Sequence, residues 1–79
     1  MSTDRNGTGA KLPVIRVLRS QKTRRYFAWD GWSDDPDEAK NFEYGIDAVQ
    51  DCVSNHLEEI DLVLRVRGGQ TDLFCIALR

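Results

Sequence analysis

The chain has 79 residues, 41% hydrophobic and 30% charged, with a net charge of −2. That describes one small globular domain with a modest core, not a low-complexity or polyionic chain. Its longest apolar run, Leu73 to Leu78, is far shorter than the roughly 20 residues of a membrane-spanning helix, and two cysteines, Cys52 and Cys75, make no disulfide framework.

Met1 to Ala10 is polar and Gly-containing, without the hydrophobic segment of a secretory signal. It reads as a disordered arm ahead of a single domain over 11–79, and a cytoplasmic location is expected. Charge is unevenly spread. Residues 11–29 carry Lys11, Arg16, Arg19, Lys22, Arg24 and Arg25 with no acid, whereas residues 30–61 carry eleven acids against Lys40 alone. The small net charge is therefore a cancellation of a basic and an acidic half.

Residues 12–19, LPVIRVLR, are β-branched, lack helical spacing and read as a strand, with Pro13 near its start where a missing donor is tolerated. Ser20 to Thr23 is a polar turn, and residues 24–29, RRYFAW, form the returning strand. Arg25, Phe27 and Trp29 fall on one face; Arg24, Tyr26 and Ala28 fall on the other. Residues 30–37, DGWSDDPD, carry turn chemistry and read as a loop. Asp35-Pro36 can cap and open a short helical turn through Ala39 and Phe42.

Residues 46–60 carry the strongest helical signal. Ile46, Val49, Val53, Leu57 and Ile60 form one apolar stripe, which is the expected core face. Residues 61–67, DLVLRVR, alternate as a strand; Gly68-Gly69 is a two-residue hairpin turn, and Thr71 to Leu78 returns. A two-residue loop places Val63 opposite Phe74 and Arg65 opposite Asp72. A loop one residue longer, with a bulge, moves Phe74 and Ile76 to the side of Leu62 and Leu64. In either register the last strand is apolar on both faces, and one helix covers only one. The second face is then closed by residues 30–44 or by another chain.

Other constellations are weaker. The aromatic cluster Tyr26, Phe27, Trp29 and Trp32 follows Arg24-Arg25 and fits nucleic-acid stacking or, more simply, core and rim packing. The acids Asp34, Asp35, Asp37 and Glu38 lack calcium-loop spacing. Cys52 and His56 stand at i and i+4, but two side chains do not make a metal site. His56 is the single histidine, and no nucleophile–His–acid arrangement accompanies it. The cadence Tyr26-Phe27, Trp29-Asp30-Gly31-Trp32, then Ala39, Phe42 and Ala48, resembles small bacterial or phage-encoded domains without specifying a family.

The expected fold is α+β: a four-stranded, mostly antiparallel sheet with one main helix packed on one face, in the order ββαββ. The expected function is a small non-enzymatic protein-interaction module, without cofactor or metal. It is a homodimer joined through an uncovered sheet face or a strand edge. The candidate interface is Val14, Leu18, Val63, Arg65, Leu73 and Cys75. The alternative is nucleic-acid binding by the basic strands, through Arg16, Arg24, Tyr26, Arg65 and Arg67.

Overall fold

A computed structural model describes residues 14–79; Pro13 and the expected N-terminal arm lie outside the described residues. The elements are β1 (Val14–Ser20), β2 (Tyr26–Ala28), β3 (Gly31–Ser33), a 3-10 turn (Pro36–Glu38), α1 (Gly45–Ser54), β4 (Ile60–Val66) and β5 (Asp72–Ala77). The strands form one sheet in the order β3-β2-β1-β4-β5, with every pair antiparallel. Among the described residues no helix is long and apolar enough to cross a membrane.

The α+β class, the antiparallel sheet and the one main helix agree with expectation; the strand count and order do not. The sheet has five strands in the sequence order βββαββ. The additional strand is β3, inside the segment expected to be a loop. Trp29 and Asp30 make a tight turn, so Ala28 pairs with Gly31 and Tyr26 with Ser33. Gly31 sits at φ 138°, a conformation costly for an L side chain. Three residues are too few to display alternation, so only pairing to β2 makes them a strand.

The β1–β2 turn forms as its residue types suggest. Ser20 Oγ accepts hydrogen bonds from the backbone N–H of Lys22 and Thr23, and Arg24 closes the turn at φ 65°. Beyond the single register pair Arg19↔Tyr26, β1 and β2 are no longer paired, and the chain fills the gap with its own segment 39–42. Ala39 bridges Ala28, and Lys40 N donates to Phe27 O at 2.8 Å. On the β1 side Phe42 N donates to Arg16 O at 2.9 Å, and Arg16 N donates to Asn41 Oδ1 at 3.0 Å.

This segment crosses from one sheet face to the other. Ala39 packs with Ile15, Val17, Tyr26 and Val63 on the face away from the helix. Phe42 packs with Leu18, Ala48, Cys52, Ile60 and Leu62 beneath α1. Neighbours in sequence on β1 and β4 therefore feed two cores, as strand alternation requires.

The helix is shorter than expected and turned differently. It stops at Ser54. Leu57 N then donates to Cys52 O at 2.9 Å and His56 N to Val53 O at 3.0 Å, with His56 at φ 56°. That is a Schellman ending, with histidine where glycine is usual. The residues packed onto the sheet are Ala48 and Cys52. Their small side chains let the helix backbone approach β1 closely. The stripe expected in the core is turned outward instead, with Ile46 61%, Val49 37% and Val53 55% exposed. Ile60, expected at the helix end, begins β4 and is buried.

His56→Gly relieves the left-handed backbone of a side chain that disfavours it, at the cost of a more flexible unfolded chain. The expected net gain is about 0.5–1 kcal/mol. It is read as a higher urea midpoint with an unchanged slope; an unchanged or lower midpoint contradicts this account of the helix end.

Candidate interaction surface

Gly69 N donates to Val66 O at 2.8 Å across the last hairpin turn, and β5 runs back along β4 in the bulged register. Leu62 pairs with Ile76, Val63 with Cys75, Leu64 with Phe74 and Arg65 with Asp72; the shift falls between Leu64 and Arg65 and leaves Leu73 in the bulge. Phe74 and Ile76 thus lie on the helix side, and Cys75 lies on the opposite face.

That opposite face is closed within the chain over β1, β2 and β4. Ile15, Val17, Ala28 and Val63 are buried, and the segment carrying Ala39 lies against them. Toward β5 the closure is polar. Arg19 and Arg65 are each only 6% exposed and share one carboxylate: Arg19 Nη1 donates to Asp72 Oδ2 at 2.8 Å and Arg65 Nη1 to Asp72 Oδ1 at 3.1 Å. Arg65 also donates to Tyr26 Oη at 3.2 Å and to Gly69 O at 2.6 Å. The two guanidinium carbons lie 6.0 and 5.9 Å from the Tyr26 ring centroid, a cation–π arrangement. Asp61 lies 3.9 Å from Arg19.

Burial alone would lower the pKa of Arg19, but its interactions with Tyr26 and Asp72 outweigh that penalty and hold it above the ordinary guanidinium value. The Nε of both arginines is buried without a hydrogen-bond partner. This makes the shared carboxylate the principal compensation for two desolvated cations. The Cys75 thiol receives an Arg19 N–H at 3.4 Å. Its pKa is raised, first by desolvation of the sulfur and then by Asp61, with Arg19 acting in the opposite direction.

The expected interface residues separate into two groups. Leu18 and Val63 are fully buried and Arg65 nearly so. They belong to the chain's own cores and present no side-chain surface to a partner. Val14, Leu73 and Cys75 are exposed; the latter two are on β5, and Val14 lies on β1.

The alternative, basic set is not gathered into one patch. Tyr26 and Arg65 are buried. Arg16 donates to the carbonyls of Phe42 and Glu43, and Arg67 donates to Asp37 O. Arg24 stands exposed in the β1–β2 turn. Tyr26, whose ring base stacking would need, is only 8% exposed. Cys52 is buried in the helix core and His56 forms the helix end, and among the described residues no group of three or more His, Cys, Asp or Glu is gathered around a metal-sized space.

Among the exposed large apolar side chains, which also include Val14, Trp29, Trp32, Tyr44 and the outward stripe of α1, three lie together on β5. Phe74 is 54% and Ile76 46% exposed, and Leu73 beside them in the bulge is 56% exposed. Leu64 and Leu78, partly buried, pack at the margin of the helix core. A shallow pocket of about 310 Å³ lies between α1 and the end of the chain, lined by Val49, Cys52, Val53, Leu78 and Arg79. Residues of α1 thus form one side, and Leu78 and Arg79, following β5, form the other. Phe74 and Ile76 were legible as apolar. Their exposure was not, because it depends on which strands the helix covers.

Asp72→Ala removes the carboxylate shared by two buried guanidiniums, leaving Arg65 with neutral acceptors and Arg19 with Asp61 at 3.9 Å. The expected loss is about 3 kcal/mol, the lower range for breaking a buried pair, because the Asp72 side chain retains 27% exposure. Equilibrium urea unfolding measures it, and a loss under about 1 kcal/mol, the level of a surface pair, would refute the clamp. Compared with known proteins, the chain matches no protein-family model, no curated protein and no solved structure, so its function is argued from this surface.

Proposed function

We propose that this protein is a small non-enzymatic interaction module that associates with a second copy of itself through the β5 side of its sheet. One observation carries the reading: all six residues of β5 are exposed, on both faces, and they include Leu73, Phe74 and Ile76. A strand edge of this length and apolarity, without lysine or proline, is a ready template for pairing.

The opposite edge supports the choice. There β3 is three residues long and is flanked by Asp30, Asp34 and Asp35; shortness and charge both discourage pairing. The apolar surface also continues from Phe74 and Ile76 toward Val49 and Val53. Covering one large aliphatic or aromatic side chain is worth roughly 1.5–3 kcal/mol. A few such side chains on each copy therefore offset a substantial part of the cost of association.

Light scattering over a concentration series is expected to give a mass approaching twice the 9.0 kDa of one chain. Phe74→Lys places a charge on the exposed edge, outside either core, and is expected to weaken association at least tenfold while leaving the far-ultraviolet circular dichroism unchanged. A mass of one chain at about 1 mM, where binding worth about 4 kcal/mol would be visible, overturns the reading.

A further inference from the structure

We infer that the pocket between α1 and the end of the chain binds a medium-chain carboxylate, an apolar chain ended by one anion. This site goes beyond the proposed self-association and does not depend on it.

The helix docks through Ala48 and Cys52. Val49 and Val53 each follow a docking residue by one position, so they share one shoulder of α1, a turn apart. The chain after β5 is tied down opposite them. Leu78 N donates to Ile60 O at 2.8 Å, Arg79 N donates to the same carbonyl at 3.4 Å, and Gln21 Nε2 donates to Arg79 O at 3.3 Å. Leu78 packs partly buried at the margin of the helix core. Both sides of the pocket are therefore fixed by backbone bonds and core packing.

The lining has one kind of wall and one charge. Val49, Val53 and Leu78 are apolar, and the buried Cys52 behaves as a small, weakly polar hydrophobe. Such walls offer water few hydrogen-bond partners. Arg79 supplies the charge. Burial pushes the Cys52 thiol up and Arg79 opposes that rise, which sets the positive charge toward the Cys52 end of the pocket. Among the described residues, no aspartate or glutamate lies within 4.0 Å of the Arg79 side-chain nitrogens. The carbonyls of Cys52 and Val53, at that end of α1, are engaged by Leu57 N and His56 N. A guanidinium so placed accepts a carboxylate through two parallel N–H bonds, while the chain of the ligand lies along the valines and Leu78. Size sets the length. The pocket measures about 310 Å³, and at about 30 Å³ for a group the size of a water it admits about ten such groups, the number of non-hydrogen atoms in octanoate.

Octanoate is titrated into the full chain labelled with nitrogen-15 while the amide resonances are followed. Hexanoate and heptanoate test length, and octylammonium tests the sign of the charge. The titrations are repeated on Arg79→Gln, which alters an exposed side chain beyond the last strand, and on Phe74→Lys, which lies outside the pocket and weakens association through β5.

The expected shifts centre on Val49, Cys52, Val53, Leu78 and Arg79 and saturate with a Kd of about 1 mM or below. Each methylene from hexanoate to octanoate tightens binding about two- to fourfold, the upper figure being the ~0.8 kcal/mol of a fully buried CH2. Arg79→Gln weakens octanoate about fivefold or more and octylammonium binds more weakly still, because the charge-assisted pair is lost. Phe74→Lys binds octanoate as the unsubstituted chain does. Binding that is unchanged in Arg79→Gln, or matched by octylammonium, reveals an apolar patch without a place for the anion and overturns the assignment. Shifts centred on Phe74 and Ile76, loss of binding in Phe74→Lys, or no saturation by about 10 mM overturn it too, and none of these bears on the mass measured by light scattering.

Discussion

A single ten-residue helix has to serve a five-stranded sheet, and the mismatch in width shapes the rest of the molecule. Strands repeat at about 4.8 Å, so five of them present a face about 20 Å across, whereas a helix with its side chains is about 10 Å wide. The helix face therefore cannot be closed by α1 alone. Phe42, delivered through the gap between β1 and β2, fills one flank. The other flank, at β5, is left largely open, and there Phe74 and Ile76 remain exposed.

The face without a helix is closed by different means. A crossing segment brings Ala39 onto Ile15, Val17 and Val63. Two arginines laid around Tyr26 replace an apolar cover at the β5 end. Burying two cations is costly unless they are compensated, and Asp72 on the last strand compensates both. That carboxylate therefore joins β1, β4 and β5 through side chains at the place where the bulge interrupts the β4–β5 ladder. It ties an otherwise exposed edge strand to β1 and β4.

Much of the architecture was legible in the chain. The strand character of β1 and β4, the turn at Ser20, the hairpin at Gly68-Gly69 and the existence of the helix all follow from local periodicity and turn chemistry, and each is present. The bulged form of the last hairpin was one of two registers consistent with the pattern; packing Phe74 and Ile76 on the side of Leu62 and Leu64 selects it. Less was legible where long-range contacts decide. Gly31–Ser33 becomes a strand only beside β2. The helix ends at Ser54 although its apolar spacing continues to Ile60, because a Schellman turn and the start of β4 compete for the following residues. Of the residues expected at an interface, Val14, Leu73 and Cys75 are exposed, while Leu18, Val63 and Arg65, apolar or basic in the same runs, lie inside.

The amino-acid sequence by itself determined the local elements and the excess of apolar surface over what one helix can cover. Both are properties of short stretches, set by side-chain period and composition. Only the tertiary structure decided which apolar residues are the excess. On α1 the small residues Ala48 and Cys52 dock, because they permit the closest approach to the sheet, and the larger Ile46, Val49 and Val53 turn outward. On the sheet, Arg19 and Arg65 are drawn inward because Asp72, 53 positions from Arg19, arrives beside them in space. Helical spacing and charge pattern are blind to both outcomes, since each depends on distances between segments far apart in the chain.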